Sequence, residues 1–147
     1  MESLSQRIQQ SLKKEGASLV GFADLNGLSS DMTNHLPYAV SIALALNPLI
    51  IAQIQEGPTP AYYEEYQRAN LFLSHLGKFT ADLLREHGYR AQDLEPTTEN
   101  FDQKTLSTPL PHKTVATRAG LGWIGKSALL ITNQYGSAIR LTSVLTD

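Results

Sequence analysis

The sequence predicts an α+β (mixed α/β) domain in which helices flank a central, mostly antiparallel sheet. Strand-like apolar runs are mixed with amphipathic helical patterns, and their order does not follow a regular βαβ repeat. The last two strand-like runs, 128–132 and 138–145, lie on either side of a short turn, which favours antiparallel pairing. The chain of 147 residues is long enough for one hydrophobic core. We therefore expect a single domain over residues 1–147.

Apolar residues at steps of three and four predict the helices. In the first helical pattern Ile8 and Leu12 share one face, and Gly16 provides a stop. Gly88 ends the longest pattern in the same way, and prolines open the shorter ones. The predicted helices cover residues 5–15, 49–55, 60–87 and 112–119.

Runs rich in Val, Ile, Leu and Ala predict the strands. The run at 38–46 is apolar enough to be buried on both faces. The turn at 133–137 is hairpin-like, and Gly136 is available there for a positive φ. Loops rich in Gly, Ser, Asn, Asp and Pro are expected over 26–37 and 95–110. The predicted strands cover residues 17–25, 38–46, 89–94, 128–132 and 138–145.

The composition excludes several classes of function. The chain has no cysteine, so it supplies no iron–sulfur ligand, thiolate zinc site or cysteine nucleophile of its own. A formal net charge of -2 gives no basic field of the kind that nucleic-acid-binding domains carry. The histidines show no metal-ligand spacing, and we predict no metal site. Neither a signal peptide nor an apolar run long enough to span a bilayer is found, so we expect a cytoplasmic protein without a membrane partner.

The run G-L-G-W-I-G-K-S at residues 120–127 is the most informative feature of the chain. It matches both G-x-G-x-x-G, a dinucleotide fingerprint, and G-x-x-x-x-G-K-S, a phosphate-binding loop. Both motifs need a strand before the loop and a helix after it, whereas the reverse order is predicted here. Nucleotide phosphate binding is therefore disfavoured. Two interpretations stay open: a structural turn whose Trp123 fills the core, or a backbone that approaches a planar ligand beside a flat aromatic ring.

Four short runs towards the carboxyl end form a wider pattern. They are A-G-L-G-W-I-G-K at 119–126, L-L-I at 129–131, G-S at 136–137 and L-T-D at 145–147. Together they resemble the N-terminal, cobalamin-binding domain of the epoxyqueuosine reductase family, and the resemblance is dense over residues 110–147. Upstream it is looser but in order, with similarity to the family's first two strands and to its long helix.

This resemblance implies a fold related to nitroreductases, reductive dehalogenases and cobalamin-trafficking proteins. It also implies a corrinoid, cobalamin, lying against residues 120–125, which we call the glycine loop. The family modifies tRNA in queuosine biosynthesis, so tRNA is a further partner, although the net charge of -2 does not favour it. The cofactor-binding residues expected in this chain are Gly120, Gly122, Trp123, Ile124, Gly125, Lys126, Ser127 and Tyr63.

In the family a ferredoxin-like electron-transfer domain with two iron–sulfur clusters follows the L-T-D segment. We therefore expect this domain to be part of a longer iron–sulfur oxidoreductase, with the clusters outside these 147 residues. The family's acidic proton donor is replaced by Leu106, and the nearest acid is Asp102. Because leucine cannot protonate a substrate, the substrate and the enzymatic status of the chain stay open.

His112 is the candidate catalytic residue, because it begins a helix that faces the ligand, although a histidine exposed there would simply be solvated. Two other functions stay beside the corrinoid-binding reductase domain: an FMN-binding enzyme of the nitroreductase type, and a non-catalytic module that binds or carries a tetrapyrrole. Core packing is the simpler role for Tyr66, and a solvated helix face is the simpler role for Glu64 and Glu65.

Overall fold

A computed structural model describes residues 3–52, 59–96, 110–125, 130–136 and 138–147. Within them, a four-stranded antiparallel sheet with strand order β1-β2-β6-β3 is flanked by helices, which confirms the predicted fold class. The six strands are β1 (Leu19–Asp24), β2 (Tyr38–Ala45), β3 (Ala91–Leu94), β4 (Trp123–Ile124), β5 (Leu130–Ile131) and β6 (Ile139–Thr146). The helices are α1 (Leu4–Glu15), α2 (Ser30–Thr33), α3 (Pro48–Ala52), α4 (Pro60–Glu86) and α5 (His112–Arg118).

Local chemistry fixes the ends of the two long helices. Ser3 and Gln6 form a capping box at the start of α1, and Gly16 closes that helix in the left-handed region at φ 118°. Thr59 accepts a hydrogen bond from the Tyr62 amide at the start of α4, where Pro60 is the first helical residue. No helix in the described part of the chain is long and apolar enough to cross a membrane.

One face of the sheet is covered by α1 and α4. Side chains at alternate positions of β1, β2 and β6 form a cluster there with Leu12 of α1 and with Leu73 and Leu76 of α4. The apolar side chains of β2 on this face are Val40, Ile42 and Leu44. This is the larger core, and it follows from the periodicities of the two helices.

The other face of the sheet is covered by α5 and by the segments around it. Small residues of the strands, Ala23, Ala39 and Ala43, pack there with Val115 and Ala116 of α5. Because both faces are covered, six of the eight residues of β2 are buried, which confirms the prediction for this run.

Two expectations about the connections are wrong. In the described residues the predicted hairpin of 128–132 with 138–145 is not found: β5 (Leu130–Ile131) pairs with β4 in a separate two-stranded sheet, and β6 pairs with β2 and β3. The turn between them is nevertheless tight, since Thr132 and Gly136 form an isolated bridge and Gly136 has the expected positive φ of 58°. The predicted loop at 26–37 contains the short helix α2.

The sheet lies close to Ala119, the residue that follows α5, at Gly21 of β1. A Cβ atom placed on Gly21 would lie 2.9 Å from the Ala119 carbonyl oxygen and 3.0 Å from the Ala119 Cβ. Gly77, in the middle of α4, has only ordinary contacts around the same position, with the Asp93 Cβ at 3.6 Å. The two glycines therefore form a matched pair for substitution.

We expect Gly21→Ala to lower the free energy of unfolding by about 1–3 kcal/mol, because α5 must move away from the sheet. Gly77→Ala should instead raise it by about 0.5–1 kcal/mol, since alanine has the better helix propensity. Urea unfolding followed by circular dichroism measures both changes. Equal effects of the two substitutions would contradict the close packing at Gly21.

Candidate functional site: the glycine loop and the helix that carries it

Helix α5 crosses the strands over a row of three small residues. Gly21, Ser41 and Ser143 are register partners on β1, β2 and β6, and we call them the small-residue row. The seven residue steps from His112 to Ala119 advance about 10 Å along the helix axis. Two strand spacings across the row also amount to about 10 Å. The helix therefore reaches from β6, where His112 lies, to β1, where Ala119 lies.

His112 fixes the first turn of α5 to the sheet. Its side chain is 7% exposed, so the expected solvated position is wrong. The Ser143 hydroxyl lies 2.9 Å from Nδ1, and the Glu95 carbonyl oxygen lies 2.7 Å from Nε2. Since a carbonyl only accepts, Nε2 carries the proton and donates to Glu95, and Nδ1 accepts from Ser143.

The surroundings of His112 keep its imidazole neutral. Burial lowers the pKa of His112 below its ordinary value, the positive charge of Arg140 lowers it further, and the hydrogen bond to Glu95 only partly opposes them. Both ring nitrogens are thus engaged with protein atoms. The geometry gives His112 a role in holding the fold, and its role as a proton donor stays a prediction.

Ser41, the middle member of the small-residue row, is buried and its hydroxyl has no hydrogen-bond partner among the described residues. Ser143, its neighbour in register, is equally buried but is bonded to His112. The apolar middle of α5, at Val115 and Ala116, offers no polar side chain to Ser41. Small size rather than hydrogen bonding therefore accounts for a serine at this position.

Gly120 ends α5 in a Schellman motif. The Gly120 amide donates to the Thr117 carbonyl at 3.1 Å, and the Leu121 amide donates to the Ala116 carbonyl at 3.0 Å. Gly120 has φ 79°, in the left-handed region that glycine adopts without strain. The first glycine of the loop is thus explained by the helix end that it forms.

Gly122 is explained by the small sheet that follows. A Cβ atom on Gly122 would lie 2.1 Å from the Ile131 carbonyl oxygen, which is too close for any other residue. This close approach accompanies the pairing of Trp123 with Ile131 and of Ile124 with Leu130 in β4 and β5. The space beside Gly122 is therefore filled by the protein itself.

The side chains of the glycine loop point outward. Trp123 is 48% exposed and Ile124 is 47% exposed, so the interpretation in which Trp123 fills the core is wrong. Gly125, next along the chain, is half-buried. Lys126 and Ser127 lie outside the described residues, as do Leu106 and Asp102. The described loop thus presents an exposed aromatic and an exposed aliphatic side chain on opposite faces of a short, paired strand.

The order of elements around the loop agrees with the prediction that disfavoured nucleotide binding. Helix α5 precedes the loop, and strand β5 follows it. No helix N-terminus among the described residues therefore follows the loop, and a phosphate-binding loop depends on one.

Tyr63, the remaining predicted cofactor residue, lies on α4, which packs against the opposite face of the sheet from α5. Its ring is half exposed and stands edge-on to Tyr62, whose ring in turn packs against Tyr66. Tyr66 is buried beneath the Arg140 guanidinium, as expected for a core role. No described contact joins Tyr63 to the glycine loop.

Glu65 departs from the expected solvated face, because its residue is only 5% exposed. It accepts a hydrogen bond from the Asn47 amide at 2.6 Å and pairs with the Arg68 guanidinium. Burial raises the pKa of Glu65, but the Arg68 and Asn47 hydrogen bonds outweigh it, so the pKa lies below its ordinary value. The carboxylate therefore joins α4 to the start of α3 rather than facing solvent.

No group of three or more potential metal ligands occurs among the described residues. His87, for example, is used to join two helices: it lies 2.9 Å from the Leu83 carbonyl and 3.3 Å from the Arg7 guanidinium. Among the described residues, the candidate site therefore consists of the exposed apolar side chains of the glycine loop.

Comparison with known proteins identifies the class. No family model matches the chain. A solved epoxyqueuosine reductase, in complex with a tRNA-Tyr epoxyqueuosine-modified stem loop, superposes with a TM-score of 0.67 at 17% identity, covering 97% of this chain and 45% of that one. A reductive dehalogenase whose structure suggests a mechanism for B12-dependent dehalogenation gives 0.66 at 18% identity, covering 96% and 18%. The chain has the fold that these two groups of reductases share.

The sequence relationship is more specific. The chain is 34% identical over 112 residues to an epoxyqueuosine reductase of Gloeobacter violaceus, over 73% of this chain and 31% of that protein. The chain is therefore a homologue of epoxyqueuosine reductase, which confirms the resemblance predicted from the sequence. It spans less than half the length of the relatives it matches.

The two buried serines of the small-residue row give a first test of the α5 anchor. Ser143→Ala should lower the free energy of unfolding by about 1–3 kcal/mol, because it leaves the buried Nδ1 of His112 without a donor. Ser41→Ala should be neutral or stabilising, because it removes a hydroxyl that has no described partner. Chemical unfolding at pH 7 measures both. A larger loss in Ser41→Ala than in Ser143→Ala would contradict these assignments.

The carboxylate of Glu65 gives a pH-dependent test. Because its pKa is lowered by folding, its contribution to stability is complete above the ordinary pKa of 4.5 and is lost as the pH falls through the folded-state pKa. Glu65→Gln should cost about 1–2 kcal/mol at pH 7, a modest value because Arg68 is half exposed. The difference from wild type should shrink as the pH is lowered to 3. A constant difference across this range would rule out an ionised Glu65.

Proposed function

We propose that the chain is a corrinoid-binding domain of an epoxyqueuosine-reductase-like oxidoreductase. The observation that carries the proposal is the half-exposed indole of Trp123, held on β4 in a run specific to the epoxyqueuosine reductase family. Homology to the Gloeobacter violaceus epoxyqueuosine reductase and the fold shared with a B12-dependent dehalogenase support it. The proposal extends to the substrate on which the whole protein acts.

The described residues fit a large planar ring. Trp123 presents a flat, half-exposed indole, and covering it with a macrocycle would remove this apolar surface from water. Ile124 follows it on β4 and therefore projects from the opposite face of the strand. The backbone beneath them is fixed by the β4–β5 pairing and by the Schellman motif at Gly120. Around the Cβ position of Gly120 no atom of the described residues lies within 4 Å, which leaves room there for a ring edge to approach the backbone.

In this proposal the protein binds and orients, and the bound cobalt supplies the redox chemistry. Trp123 would pack against the ring and exclude water from that contact. We still predict that Lys126 and Ser127 contact the polar substituents of the corrin. Electrons would come from a ferredoxin-like domain with iron–sulfur clusters, since this chain has no cysteine to hold a cluster.

The tRNA-modifying reaction is a separate part of the proposal. The solved relative is bound to a tRNA stem loop, which makes tRNA a candidate partner for a longer protein containing this domain. The position of the family's acid holds Leu106, however, so a different substrate or a different proton donor is needed.

Titration of the purified domain with cob(II)alamin under anaerobic conditions tests the proposal. Binding should change the visible spectrum of the corrinoid and quench the fluorescence of Trp123, the single tryptophan of the chain. Trp123→Ala should weaken the affinity, read from the visible spectrum, by about tenfold, or about 1.4 kcal/mol. Tyr89→Ala, which removes another exposed aromatic ring, is the matched control and should leave the affinity unchanged.

No spectral change at about 50 µM protein and ligand would count against corrinoid binding. A yellow protein with a flavin spectrum would instead support the FMN-binding alternative. Equal losses of affinity in Trp123→Ala and Tyr89→Ala would show that the glycine loop is not the binding surface.

A further inference from the structure

We infer that His112 is the positioning residue of the glycine loop. Its imidazole lies where three segments meet: the end of β3 at Glu95, the centre of β6 at Ser143, and the first turn of α5. The inference rests on the proposed function only for its effect on cofactor affinity. Its effect on the loop itself is independent of any ligand.

The geometry makes α5 a short connection between His112 and the loop. Only seven residues form the helix, and Trp123 follows its last residue by five positions. At the far end, Ala119 rests on Gly21, where no Cβ could be accommodated without movement. A helix fixed to the sheet at both ends sets the position of the loop that leaves it.

The chemistry of the imidazole suits this role. The carbonyl of Glu95 requires a donor, and the hydroxyl of Ser143 gives its proton to an acceptor, so one neutral tautomer satisfies both. The charged group that acts on the ring is Arg140 of β6, which further favours the neutral form. The carboxylate of Glu95 is bonded to the Ser74 hydroxyl. Few side chains present a donor and an acceptor at this separation.

Three substitutions separate the two hydrogen bonds. His112→Leu removes both, His112→Gln keeps a donor near the position of Nε2, and His112→Asn keeps an acceptor near the position of Nδ1. The first readout needs no ligand: acrylamide quenching of Trp123 fluorescence, with folding checked by circular dichroism. We expect quenching of Trp123 to change in His112→Leu and to return towards wild type in His112→Gln and His112→Asn.

The second readout is affinity for cob(II)alamin, which should fall by about tenfold in His112→Leu and recover partly in His112→Gln. Ile42→Val is the core-packing control, because it removes one methylene from the core on the opposite face. It should alter neither Trp123 quenching nor affinity. Should His112→Leu fail to fold, Ser143→Ala, which breaks only one of the two bonds, gives the same comparison on a smaller scale.

The outcomes distinguish the two claims. If wild type binds no corrinoid but the His112 variants change Trp123 quenching, corrinoid binding is refuted and the positioning role stands. If quenching and affinity are the same in wild type, His112→Leu and Ile42→Val, the positioning role is overturned. If Ile42→Val changes quenching as much as His112→Leu does, the effect is one of general stability, and the positioning role is again overturned.

Discussion

The close packing of α5 on the small-residue row is the constraint on which the rest of this face depends. The helix can pack closely across three strands only because the side chains of Gly21, Ser41 and Ser143 are small. They occupy little of the space between the helix backbone and the sheet backbone. One contact at each end then determines where the helix lies: the His112–Ser143 hydrogen bond at its start, and the Ala119–Gly21 contact at its end. The glycine loop leaves from this fixed point, so its position is a consequence of packing inside the domain.

This constraint changes the meaning of the glycine-rich run. Its density of glycines suggested a backbone adapted to a ligand, but two of them have structural causes. Gly120 ends α5 in the left-handed backbone region. Gly122 leaves the space that the Ile131 carbonyl oxygen occupies, where a side chain would collide with it. The backbone of the loop thus belongs to the fold, whereas the side chains of Trp123 and Ile124 do not, because nearly half of each is exposed. The features that point to a ligand are therefore the exposed side chains, Trp123 above all, and the homology rather than the glycines.

Much of the fold follows from the sequence because its long elements carry their own periodicity and caps, as Gly16 and Thr59 show. The pairing of short strands does not, since β4 and β5 are two residues each and their partners are set by the packing of the whole face. The burial of His112 and Glu65 likewise cannot be predicted from a local sequence pattern. His112 meets Ser143 from 31 residues away, and Glu65 meets Asn47 from 18. Serine and glycine residues inside apolar strands indicate that a helix packs closely there. Only the strand register, however, shows that these small residues form one row.

A site built in this way has an energetic advantage for binding a large rigid ring. Ordering a flexible loop around a ligand costs conformational entropy, which is subtracted from the affinity. Here this conformational entropy is lost during folding, because hydrogen bonds fix the backbone before and at Trp123. They are those of the Schellman motif before it and those of the β4–β5 pair that includes it. The Trp123 and Ile124 side chains lose little further freedom, since an indole has only two rotatable bonds and an isoleucine is stiff at χ1. The loss of conformational entropy that is subtracted from the affinity is therefore small, provided that α5 keeps its place on the sheet, although the cost of bringing two molecules together still applies.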